Sequence, residues 1–540
     1  MEQEQKKQVF DNKYDRQIRL WGSNGQKRIQ NSKLLLLNCE PSGVETMKNL
    51  VLPGIGNITV VDNAQVNLKD LGKNFFVSES DLGKNRGQAV FDNLLEMNPD
   101  VKGDFKNEDP VEMAQNEEFI KQFSCVIASE LWDHHLKKLS QICEKYNITL
   151  IIINTYGLIG RIRLQNGIHT IIESKPLQAQ YYDLKITKPW KELQNFVDSF
   201  DIEALNQKID PKVMDGESGK AIDQLMHIPY LVILIKSLDI YRKQNAGKDP
   251  KTFAEKKAYK NIIKEMGNKL DQAENFQQAE SFSYQAYIQP GDLPTSVNGG
   301  LKTIFQHEKF QNGQESFWFL ARALKQFYEK YGTLPVSSNL PDMESKTDLY
   351  QQLKKIFQQK FEEDLKLFKE ILGSTDISDD EIKLYIQHVC YLSVVDYRPY
   401  YKELENPLNL EIEVNYNEMG EIIINNCYQW IIGLRALNIY FERNNQYPIY
   451  QKDEQVLYDI AEDLRVNYFK LEGENSQEKI DKKITDELVR YSNSKLHNIA
   501  SILAGIASQE TIKLVTHQFQ PFNNTFIYEG NFCKAQTLQL

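Results

Sequence analysis

A chain of 540 residues is longer than one ordinary core organises, so two or three domains are expected. At 41% hydrophobic and 26% charged it has a globular composition, and a net charge of −11 argues against nucleic acid or an anionic membrane as a general partner. Stretch 1–10 is polar with no secretory signal, and the longest apolar runs, at 150–153 and 230–235, are far too short to span a bilayer.

In chain order, 33–38 reads as a strand, 43–52 as a helix and 57–61 as a strand. A helix at 83–97, a strand at 124–128, a helix at 134–146 and a strand at 149–154 follow. Buried strands alternating with helices predict an α/β fold, doubly wound and Rossmann-like, with a mainly parallel sheet. Segments 161–164 and 169–172 read as a hairpin closing this part. From about residue 173 to 492 the chain is helix-rich, with many Lys, Gln and Glu residues. A helix at 498–516, small on more than one face, and a strand at 526–529 then return to the first style. The expected organisation is one sheet domain built from 1–172 and 493–540, with a large helical insertion at 173–492 between them.

In a doubly wound fold, phosphates sit at the turn between the first strand and first helix, where glycines admit the backbone and free amides face the ligand. Here that turn reads Asn38-Cys39-Glu40-Pro41-Ser42-Gly43. Only Gly43, the position that packs helix on sheet, remains of a G-x-G-x-x-G pattern. Glu40 would set a carboxylate beside the phosphates, and two like charges roughly 4 Å apart repel by about 4 kcal/mol at an effective dielectric of about 20. Pro41 removes an amide that could donate to a phosphate. Asp62, at the end of the second strand, either holds a ribose hydroxyl or is an acid kept by the fold.

The segment Tyr14-Asp15-Arg16-Gln17-Ile18-Arg19-Leu20-Trp21-Gly22 resembles the opening signature of the activating enzymes for ubiquitin and its relatives. Lys48 to Gly54, Gly83-Lys84-Asn85-Arg86, Tyr156 to Gly160 and Ala507 to Lys513 fit the same family in the same order. The resemblance implies the adenylation fold of the ThiF/MoeB type and a pairing of two related halves, of which one keeps ATP chemistry. The motifs of a working half are altered in this chain. Asn63 follows Asp62 where a second aspartate is expected, Lys73 takes the place of the family arginine, and Leu131 falls where a magnesium-binding aspartate should be; Lys84 alone is conventional. In the insertion, Ser316 to Leu324, Leu334-Pro335-Val336 and Leu340-Pro341-Asp342-Met343 resemble the regulatory subunits of neddylation activating enzymes, as does Phe522 to Tyr528.

The resemblance therefore implies a regulatory, non-catalytic half that binds no cofactor or metal itself and works beside a catalytic subunit holding ATP and magnesium. A ubiquitin-like modifier of cullins and a conjugating enzyme are the further partners it implies. Arg16 is the sharpest site residue: the resemblance places it in trans at the partner's ATP, for which a forked, permanently charged guanidinium is suited. Its other reading is a pair with Asp15 or a cap on the first helix; Arg19 and Trp21 are expected to pack and orient the segment. The six cysteines form no C-x-x-C pair, so neither a disulfide framework nor a zinc site is indicated, and a cytoplasmic and nuclear setting fits. Cys390 and Cys427, in apolar stretches, read as buried structural thiols rather than nucleophiles. The rival readings are a regulatory subunit for SUMO activation, a self-sufficient adenylating enzyme, a pure scaffold and a nicotinamide dehydrogenase.

Overall fold

The computed structural model describes residues 13–174, 184–210, 212–213, 215–270, 273–287, 300–338, 340, 344–406, 410–411, 414–416, 422–424, 427–469, 471–472, 479–491 and 493–540. The polar stretch 1–10, the Pro341-Asp342-Met343 motif and the expected domain edge at 492 lie outside these residues. Two compact units are present, one of residues 1–169 with 395–540 and one of 170–394.

The first unit is organised by an eight-stranded sheet. Its elements are helix α1 (Asp15–Asn31), strand β1 (Lys33–Leu37), helix α2 (Pro41–Val51), β2 (Asn57–Val61), α3 (Arg86–Glu96) and β3 (Lys102–Lys106). They continue with β4 (Cys125–Ser129), α4 (Asp133–Tyr146), β5 (Thr149–Tyr156) and β6 (Ile159–Gln165). After the excursion into the second unit come α5 (Cys427–Asn444), α6 (Glu454–Asn467), α7 (Lys482–Tyr491), α8 (His497–Thr516), β7 (Thr525–Glu529) and β8 (Lys534–Leu538). The strand order is β8-β7-β6-β5-β4-β1-β2-β3. Strands β1 to β5 pair in parallel, and β6, β7 and β8 extend the sheet antiparallel. Strands β4 and β5 carry the apolar runs Cys125–Ala128 and Leu150–Ile153 with almost every residue buried, as a sheet covered on both faces requires.

The expected fold class holds, with three corrections. Segment 169–172 forms no hairpin with β6; β6 pairs instead with β5 and β7, because Ile159–Arg163 align with Thr525–Glu529. Strands β3 and β8 carry lysines and exposed positions and gave no apolar run to read. The third concerns the far end of the insertion. The separate unit ends at 394 rather than 492, since helix α5 packs on β7 and β8 and shares a core with Tyr156, Ile159 and Ile527. Buried ion pairs tie the same stretch to the sheet: Arg163 Nε donates to Glu403 at 2.6 Å, and Arg161 and Arg435 both meet Asp133.

Helix α8 behaves as its small residues predict. Ala500, Ala504, Ala507 and Ser508 are buried, and the helix packs on α2, α1, β5 and β6. Close approach is enforced at Gly160, where an added Cβ would stand 2.5 Å from Leu503. The second unit is helical around fully buried aromatics, among them Tyr230, Tyr259, Trp318, Phe327, Phe357 and Phe368. Segment 316–324 opens the helix Ser316–Tyr331, with Phe317, Trp318, Leu320 and Leu324 turned inward. No single helix among the described residues is long and apolar enough to cross a membrane.

Glu403→Ala would strip the carboxylate from the Arg163 guanidinium, whose side chain is only 1% exposed. Breaking one side of a buried pair costs about 3–5 kcal/mol. Thermal unfolding should then begin several degrees lower, with hydrogen exchange rising first in the helix Tyr400–Glu405.

Candidate functional site

Between β1 and β4 the strand order reverses, and the crevice beyond their carboxyl ends is where such a sheet takes a ligand. The chain leaves β1 through Asn38, held in the left-handed region at φ 70, and enters α2 through Glu40 in extended conformation. Pro41 occupies the first helical position, where its fixed φ suits the helix and its missing N–H would have gone unbonded within the helix anyway. Gly43 is there for packing: an added Cβ would sit 2.6 Å from Ser129 Cβ and 2.7 Å from Leu36 Cδ1. Its N–H donates to the Ser129 hydroxyl at 3.2 Å, so an amide that could face a phosphate is already spent inside the protein.

Glu40 stands at the N-cap yet makes no side-chain capping bond. Its carboxylate turns sideways instead, accepting from Lys73 Nζ at 2.7 Å and from Arg86 Nη1 at 2.9 Å. Burial pushes this carboxyl upward, but the guanidinium of Arg86, then Lys73 and Lys495, overcome that and hold it at about 2. Arg86 is fixed in turn by Asp62 at 2.8 Å, Asp70 at 3.4 Å and the Asn38 side-chain oxygen at 2.9 Å. The anion that sequence reading set against a phosphate therefore lies among the cations themselves.

The other expected site residues fall as follows. Asp62 is 1% exposed and accepts from the amides of Cys39 and Ala64, both at 2.7 Å, as well as from Arg86, which makes it an acid used by the fold. Lys84 is not brought to the turn; its side chain is 61% exposed and pairs with Asp81. Leu131 is buried, and the nearest following acid, Asp133, faces Arg161, Arg435 and the Tyr400 hydroxyl rather than a metal site. Arg16 is exposed on α1; Asp15 pairs with Arg19 at 3.0 Å. Arg19 is itself 78% exposed and so does not pack, whereas Trp21 is buried and donates to Gln26 at 2.9 Å.

Sequence reading missed Arg86, Asp70, Glu130 and Lys495. Glu130, with φ 56, accepts from Ser42 at 3.0 Å, from the Thr155 amide at 2.8 Å and from Lys495. Arg86 lay inside a recognised motif without an assigned role, and nothing local could place Lys495 beside a turn so distant in sequence. Beside Glu130 lies a small cavity of about 30 Å³, lined by Trp132, Thr155, Arg161, Tyr447 and Lys495. Trp132 stacks on Phe441 at 4.0 Å, and Tyr447 closes over the pair at 5.5 Å from Trp132. That space suits a water; small-molecule ligands need several hundred Å³ (about 300 or more). At the turn itself, Pro41 has no amide to offer, the Gly43 N–H is bonded to Ser129, and Glu40 sets a carboxylate on Lys73 and Arg86.

None of the six cysteines is joined in a disulfide. Burial pushes Cys125 up to about 12 and Cys427 up to about 11, away from thiolate character. Cys390 departs from expectation: helix Asp379–Gln387 ends before it, and it is half-buried in the following turn. Among the described residues no group of three His, Cys, Asp or Glu side chains could hold a metal ion.

The pattern of the ThiF family matches residues 14–540. At the level of whole chains, the NEDD8-activating enzyme E1 regulatory subunit of Danio rerio is 31% identical over 98% of this chain and 98% of its own length. The NEDD8-activating enzyme E1 regulatory subunit AXL of Arabidopsis thaliana is 32% identical over 98% and 99%, and the corresponding subunit of Drosophila melanogaster 32% over 98% and 97%. The chain belongs to the ThiF family and, within it, to the NEDD8-activating enzyme E1 regulatory subunits.

Glu40, with its carboxyl held below its ordinary value of 4.5, contributes stability that is complete above pH 4.5 and lost as pH falls from there through about 2. Glu40→Gln should lower unfolding free energy by about 3 kcal/mol at neutral pH. Denaturant titrations of both proteins at a series of pH values should show the gap narrowing below pH 4.5 and closing near 2.

Proposed function

We propose that this chain is the regulatory, non-catalytic subunit of a heterodimeric enzyme that activates NEDD8 or a close relative. In this reading the partner subunit holds ATP and magnesium, adenylates the modifier and captures it as a thioester for a conjugating enzyme. This chain contributes the second half of the assembly, in the cytoplasm and nucleus. The carrying observation is Glu40 seated between Lys73 and Arg86, a carboxylate held on the cations that a nucleotide phosphate would call on. The thiols of Cys125 and Cys427, pushed up by burial, support the reading that these two side chains are not nucleophiles.

Arg16, exposed on α1, supplies a guanidinium to the phosphates of the partner's nucleotide. A charge-assisted hydrogen bond contributes about 1.5–3 kcal/mol, so Arg16→Ala should slow ATP–pyrophosphate exchange by about 10- to 100-fold in the heterodimer. Co-purification with the partner should be unchanged. Equal exchange rates would reduce this chain to a scaffold, and exchange by the lone chain would make it an adenylating enzyme in its own right.

A further inference from the structure

Each oxygen of the Glu40 carboxylate meets one cation, Oε2 with Lys73 and Oε1 with Arg86. Lys495 adds a third positive charge to the field at this point. Arg86 does not depend on Glu40 for its position. Its Nε and Nη2 are bonded to Asp62 and Asn38, and Nη1 reaches Asp70 as well as Glu40. Asp62 in turn is anchored by the Cys39 and Ala64 amides. Lys73 is placed by the short helical turn Leu68–Leu71, which Asn67 and Asp70 close in a reciprocal capping box, and it keeps a contact with Asp70 at 3.6 Å. The cationic pair is thus built by the surrounding frame and would persist without the glutamate.

We propose that Lys73 and Arg86 form an oxyanion seat that Glu40 fills as a tethered anion, and that the seat accepts free inorganic phosphate once the tethered carboxylate is removed. The inference deepens the reading of this turn as one that holds no nucleotide, and rests on it. Removing the side chain beyond Cβ vacates the room of a carboxylate and its stem, which is the scale of a single phosphate group. Charge limits the ligand as well. Asp62 and Asp70 already draw on Arg86, and Glu130 pairs with Lys495, so without Glu40 three cations face three acids, and one added negative charge restores the state that the carboxylate sets. A compact oxyanion fits that balance, whereas a triphosphate brings charge that the flanking acids repel.

The test is thermal unfolding of the full chain in inorganic phosphate against sodium chloride at matched ionic strength. Glu40→Ala should melt below the unchanged protein in chloride and recover in phosphate, while the unchanged protein and Glu40→Gln, whose seat stays filled, should show only the smaller, general stabilisation that phosphate gives by exclusion from protein surfaces. The phosphate response of Glu40→Ala should weaken by about tenfold or more in apparent affinity when Lys73→Met is added, since one charge-assisted contact is lost. Tripolyphosphate should bind Glu40→Ala no more tightly than phosphate. If Glu40→Ala does not fold, Glu40→Ser retains a good N-cap residue and is read the same way. A phosphate response equal in Glu40→Ala and the unchanged protein, or absent from both, overturns the proposal. Either result leaves the regulatory-subunit reading standing, because that reading is decided by exchange activity with and without the partner.

Discussion

A guanidinium taken out of water must have its charge and its five N–H groups answered from within the protein, and the turn region is arranged around that demand at Arg86. Its side chain is 8% exposed, and it draws Asp62 from the end of β2, Asp70 from the following turn, and Glu40 and Asn38 from the loop before α2. Burial would favour losing the proton, but Asp62 and Glu40 raise the hold on it. One side chain therefore joins segments that the sheet alone leaves separate. The same bonds that stabilise the fold occupy the acid that could have held a ribose and the space that could have held phosphate.

A second buried charge does comparable work further along the sheet. Asp133 is taken out of water, which pushes its carboxyl upward, and Arg435 and Arg161 bring it below the usual carboxylate range. Arg161 belongs to β6, Arg435 to α5 and the Tyr400 hydroxyl to the helix Tyr400–Glu405, so three stretches of chain converge on one carboxylate. Losing any one cation would leave a charge without compensation, which makes the convergence specific as well as stabilising.

The parallel half of the sheet was legible because most of its strands are apolar runs bounded by turns, and Asn85 caps α3. Gly43 was legible too, since a glycine at that register has one steric reason to be there. Strand β3, Lys102–Lys106, was not, as its exposed lysines offer no alternation to read. The boundary at 394 was hidden because α5 has the same helical texture as the segment before it, and only its packing on β7 and β8 shows where it belongs. At the site, the identity of Glu40 pointed to exclusion of phosphate, but repulsion was only half of the physics. Its attraction to Lys73 and Arg86 depends on side chains that the fold brings together.

Strand β6 lies between β5 and β7, and β7 is encoded several hundred residues after β6. During synthesis the ribosome therefore releases β1 to β6 long before the strand that pairs with Ile159–Arg163 exists. Until Thr525–Glu529 emerges, β6 presents an unpaired edge, and the surface that α8 will cover at Gly160 stays open. The nascent polypeptide thus carries a sticky border through most of its translation, a period in which chaperone binding is the physical alternative to aggregation.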